Sequence, residues 1–189
     1  MATKKNRRWV RNTLISTFFL SIFFSGASRV ILGDNAGLIP SLIVLLLIIL
    51  TGVVFDIIGV AATSSKMAPL NAKAAKKVPG AKAAINLARN SEKVSSFCND
   101  VVGDICGIIS GSAAAAIVFN LAANDPKQGY INIVVGAVVA ALTVGGKALG
   151  KSTAISYSTE ILMLAGKVIS FFAKLNPFHK AKDRGSNGK

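Results

Sequence analysis

Two aspartates, Asp100 and Asp104, stand four residues apart in the apolar stretch FCNDVVGDICG, residues 97–107. A helix would set both carboxylates on one face, one turn apart. A third aspartate, Asp56, interrupts the apolar stretch FDIIGVAA (55–62), and Lys147 stands at the end of another. Carboxylate oxygens grouped in this way suit the binding of a cation or a proton. They are costly in a bilayer, where an ionised side chain near the centre is disfavoured by about 2.5–3.5 kcal/mol even on lenient scales. Such residues usually face a bundle interior and pair with one another. At 1.5 Å per residue, Asp56, Asp100 and Asp104 would each lie on the order of 10–15 Å from the cytoplasmic end of their spans. Lys147 would lie close to that same end. Asp56, Asp100 and Asp104 are therefore candidate cation ligands, with Lys147 as an internal counter-charge. The equally weighted alternative is a salt bridge from Lys147 to Asp104 or Asp56 that only locks the bundle. Ser64, Thr63, Ser95, Ser96 and Asn99 could add oxygens, although hydroxyls in spans more often bond to the helix backbone.

The membrane setting follows from composition. Apolar residues make up 52% of 189, mean hydropathy is +0.56, and 22 Lys+Arg face 8 Asp+Glu. A soluble domain of this size cannot bury so much apolar surface, which points to an all-α integral membrane protein. The basic balance is not accompanied by any nucleic-acid-binding signature, so no nucleic-acid partner is expected. Cys98 and Cys106 lack CxxC spacing and His neighbours, which argues against redox or zinc chemistry. The lone His179 falls in the basic tail.

Four stretches approach the ~20 apolar residues that a bilayer requires. They are 12–32, 38–62, 94–122 and 130–147. The first has the basic start and small-residue exit of a signal peptide, but its apolar region is longer than the usual 7–15 residues. Segment 153–175 differs in kind. Ile161, Leu164, Val168, Phe171 and Leu175 recur at helical spacing among Glu160, Lys167 and Lys174, as in a helix that lies along a membrane surface or clasps the spans.

Basic residues occupy 1–11, the connection between the second and third spans, and the chain from Lys147 onward. The opposite loops, GDNAG and NDPKQG, hold one lysine between them. This asymmetry places both termini in the cytoplasm, and the plasma membrane is the expected location. The connection from Lys66 to Val94 reads as two short helices broken at Val78-Pro79-Gly80. Residues 1–37 form a basic start and an additional first span, 38–178 the main transmembrane domain, and 179–189 a disordered tail. Gly103, Gly107 and Gly111 form GxxxGxxxG, a spacing that lets helix backbones approach closely.

The order FDIIGVAA (55–62), PGAKAAINLARNSEKV (79–94), VGDI (102–105), GKALGK (146–151) and the 153–175 helix resembles the transmembrane domain of the CorC/cyclin M (CNNM) magnesium transporters. The likeness covers about 38–178. It implies a homodimer and a cation held by oxygens from three spans. On that resemblance Asp56 takes the place of the first Ser of an SGSE-like motif, Gly59 that of its Glu, and Asp104 that of the Asn following Gly103. Gly103 thus belongs to the implied site with Asp56, Asp100, Asp104 and Ser64. Lys147 replaces a carboxylate, and magnesium wants near-octahedral oxygen coordination that an ammonium opposes. The family's site is accordingly rearranged or lost. Family members usually carry CBS domains, and none is expected within these 189 residues.

No nucleophile–base pair, HExxH or phosphate-cradling loop is present, so no enzymatic activity is expected. Two functions fit. One is a divergent cation transporter, with Mg2+ as the implied ion. The other is a non-transporting scaffold or regulatory subunit serving an unidentified membrane or cytoplasmic protein.

Overall fold

Long runs of Leu, Ile, Val and Ala satisfy their main-chain groups within the helix itself, the arrangement that a chain in lipid requires. The computed structural model describes residues 4–31, 37–122 and 125–175, nearly all of them helical and none in a strand. The helices are α1 (Lys4–Ile31), α2 (Leu38–Ser64), α3 (Met67–Ala75), α4 (Ala81–Arg89), α5 (Ser91–Ala122), α6 (Gln128–Ser156) and α7 (Ser158–Leu175). Pro40 and Pro69 fall in the first turns of α2 and α3, where a missing N–H costs no helical bond. Within α5, Ser96–Gly103 is π-helical.

Among the described residues, α2, α5 and α6 are long and apolar enough to cross a membrane. That makes three such helices where four stretches had been expected. Segment 12–32 is helical as far as Ile31 within α1, and residue 32 lies outside the described residues. The stretch 130–147 extends at both ends to become α6. The segment 153–175 divides at Tyr157, so its first residues complete α6 and the rest form α7. The tail 179–189 lies outside the described residues.

The chain forms two units. The first takes in Met1–Ile57 and Ser96–Lys151, the second Ile58–Ser95 and Ser152–Lys189. In the first, α2 buries a narrow stripe of Ser41, Leu45, Ile49, Gly52 and Asp56, at helical spacing. Leu45 and Ile49 pack with Ala113, Ala114 and Ile117 of α5 and with Val139 of α6. Leu20 and Phe24 of α1 pack against Val101, Ile105 and Ile109 of α5. Most of the remaining apolar surface is exposed, including Ile39, Leu46 and Leu50 of α2 and Ile133, Val134 and Val144 of α6. Contiguous exposed apolar surface on this scale marks a lipid-facing bundle, the pattern of an integral membrane protein.

The second unit is built on close backbone contact. α3 ends in a Schellman closure, with Val78 N–H donating to Lys73 C=O and Lys77 N–H to Ala74 C=O. Lys77 takes the left-handed conformation there, φ 54°. Gly80, φ 86°, then starts α4, and its carbonyl accepts from Ala84 N–H at 2.9 Å. A Cβ on Gly80 would lie 2.6 Å from Lys167 N, and one on Gly166 would strike the Gly80 carbonyl. α4 and α7 therefore meet backbone to backbone. Leu70 and Leu162 are fully buried, and Lys73 pairs with Glu160 at 3.7 Å.

Candidate functional site

Small residues determine where the helices of the first unit approach one another. A Cβ on Gly52 would lie 2.9 Å from Cβ of Cys106. Leu45 and Ile49, earlier on α2, meet residues later on α5, so these two helices run antiparallel. Asp56, one turn beyond Gly52, thereby comes level with the end of the π-helical stretch. On α6, a Cβ at Gly146 would lie 3.0 Å from Val53 Cγ2, and one at Gly150 2.6 Å from Ile57 Cγ1. That ascending register makes α6 parallel to α2 and brings Lys147 to nearly the same level. The three helices thus converge around Asp56, Gly103 and Lys147.

Asp56 is 5% exposed, and its Oδ2 has no hydrogen-bond partner. Gly103 is buried, and its carbonyl accepts from Lys147 Nζ at 3.5 Å, the long limit for such a bond. No ion pair joins Lys147 to Asp56, Asp100 or Asp104. The expected salt bridge to Asp56 or Asp104 is therefore replaced by the main-chain contact.

The paired aspartates lie elsewhere. Asp100 and Asp104 are both exposed, and Ser96 Oγ donates to Asp100 Oδ2 at 2.8 Å. α5 turns Val101, Val102, Ile105, Cys106 and Ile109 inward instead. Apolar and small side chains fill the interior without the desolvation that a carboxylate would incur. Among the described residues, no three His, Cys, Asp or Glu side chains stand close enough together to hold a metal ion. Ser64, half-buried at the end of α2, belongs to the second unit, as does Thr63. The Thr63 hydroxyl is already engaged with the Val60 carbonyl at 2.9 Å, as expected of hydroxyls in helices. Cys98 and Cys106 are buried free thiols.

Two features were missed from sequence. The eight-residue π-helical stretch has only a weak local signal, the cluster Ser95, Ser96, Asn99 and Asp100, whose side chains compete with main-chain bonding. Such segments are rare and recur at functional sites. The Gly146/Gly150 contact is legible as a small-xxx-small pair, whereas two glycines of GxxxGxxxG on α5 meet no neighbouring helix. A Cβ on Gly107 or Gly111 would meet nothing within 4 Å.

Comparisons with protein-family models, curated proteins and solved structures give no match. The CNNM likeness rests on the sequence motifs alone.

Proposed function

We propose that the chain is a divergent CNNM/CorC-like membrane protein that binds, and in a transport cycle passes, a cation at Asp56. The observation carrying this reading is the buried carboxylate with an unpartnered oxygen. A buried acceptor left unmade is costly, and a buried charge without a partner more so. A bound cation or a proton removes that cost. The neighbouring Gly103 carbonyl is a second oxygen at the same level, held by the Lys147 ammonium until an ion displaces it. A hydrated magnesium ion can be anchored by one or two carboxylates, because it keeps several of its waters. On this reading α1 is a fourth span, both termini are cytoplasmic in the plasma membrane, and the protein is a homodimer.

Melting of the purified full chain against Mg2+, Na+ and pH tests the proposal. Binding confined to the folded state at a hundredfold excess over Kd stabilises by about 2.7 kcal/mol. The natural protein should show such a rise with one of these ligands, and Asp56→Asn should abolish it. A protein indifferent to all three is instead the scaffold. That second reading is favoured by the ammonium on the Gly103 carbonyl and by the lack of a three-ligand cluster among the described residues.

A further inference from the structure

α7 has two apolar faces. One carries Ser158, Leu162, Met163 and Gly166 and is buried within its unit. The opposite one carries Leu164, Val168, Phe171 and Phe172, which are 66%, 50%, 62% and 65% exposed. At the helical step of about 100° per residue, these four occupy a single arc.

One border of this stripe carries a basic residue. Lys167 is exposed three residues beyond Leu164. Glu160, four residues before Leu164, is paired with Lys73 of α3, so that flank carries no net acid. Within 58–95 and 152–175 the lysines and arginines face only two acids, Glu92 and Glu160. Lys76, Lys77, Lys82, Arg89 and Lys93 are exposed. Water is a poor solvent for the stripe, and a zwitterionic surface gives the cations little to meet. An anionic bilayer surface satisfies both, with aromatic rings at the headgroup–acyl boundary and ammonium groups among the phosphates. Such a surface is within reach, because Tyr157 alone separates α7 from α6, a helix long enough to cross a membrane.

We propose that the exposed face of α7, bordered on one side by Lys167, docks onto an anionic membrane surface. This does not depend on the cation reading.

Trp9 is the chain's one tryptophan. Trp9→Phe combined with Phe171→Trp puts a single reporter on the stripe without disturbing the buried face. The full-length variant is reconstituted in vesicles of phosphatidylcholine, with or without phosphatidylglycerol, each lipid also supplied with brominated chains. Contact with a brominated chain quenches the tryptophan, and competition between the two lipids gives their relative association constant. The expected result is strong quenching, with phosphatidylglycerol preferred by roughly fivefold for each lysine engaged. Adding Lys167→Gln should lower that preference by roughly the same factor. Leu164→Trp reports from the same stripe should the first variant fold poorly. An unquenched tryptophan at both positions would mean that protein, a second copy included, or water covers the face, and would overturn the proposal. Equal association of the two lipids would overturn it as well.

Discussion

Glycine brings helices together in both units, but what each glycine meets differs. In the second unit Gly80 and Gly166 oppose main chain: each is held against the backbone of the other's helix. In the first, Gly146 and Gly150 receive the branched ends of Val53 and Ile57, while Gly52 meets the Cβ of Cys106, which no rotamer moves. Backbone cannot move without breaking helical hydrogen bonds, whereas a side chain can change rotamer. The second unit is therefore an inflexible clasp. The first is a bundle whose seam between α2 and α6 can adjust, and it is the one that holds the buried carboxylate.

This contrast predicts a graded series of substitutions. The largest effect belongs to Gly166→Leu, whose side chain must displace the Gly80 carbonyl and Ala84 N–H. Overpacking ordinarily costs about 1–3 kcal/mol and more where nothing can yield. We expect a loss of at least ~3 kcal/mol on that basis, read as a fall in melting temperature and early proteolysis between α3 and α4. No single side-chain truncation should rescue it. Gly150→Leu should cost less, roughly 1–3 kcal/mol, because it strikes Ile57. Here Ile57→Ala should recover a large part of the loss in a double-mutant cycle. Additive losses would erase the distinction between the two units.

Next comes Lys147→Met. An ion pair broken in a buried setting would cost about 3–5 kcal/mol. Lys147 instead makes one long bond to a carbonyl, so the expected loss in the absence of added cation is on the order of 1 kcal/mol. A denaturant or thermal melt giving the larger figure would restore a direct partnership with Asp56. The smallest effect is expected at Gly107→Leu, with no neighbour within 4 Å of the added Cβ. Stability should change by no more than ~0.5 kcal/mol, as at other open sites. A shift in oligomeric state by native-mass or crosslinking measurement would show that a second copy closes on that face.

Much of the organisation was legible in the residues. The run from Leu38 to Ser64 and the run ending at Ala122 declared themselves by length and hydropathy, and Val78-Pro79-Gly80 announced the turn between α3 and α4. These features depend on neighbours within a few positions, and local chemistry decides them. The site was only partly legible. Asp56 was recognised as a buried acid, and it is one. Asp100 and Asp104 were expected inside on the argument that charge in a span seeks the interior, yet both are exposed.

The sequence by itself determined that the chain is helical, where its apolar helices run, and how charge is distributed along it, because periodicity and composition control burial and hydrogen bonding residue by residue. Only the tertiary structure decided which face of each helix turns inward. The π-helical winding of Ser96–Gly103 and the Gly52–Cys106 approach rotate α5 so that small apolar groups fill the seam and its carboxylates do not. It also decided that Lys147 meets a carbonyl instead of an aspartate. A helix's rotation about its own axis is fixed by the shapes it packs against, and those shapes belong to residues far away in the chain.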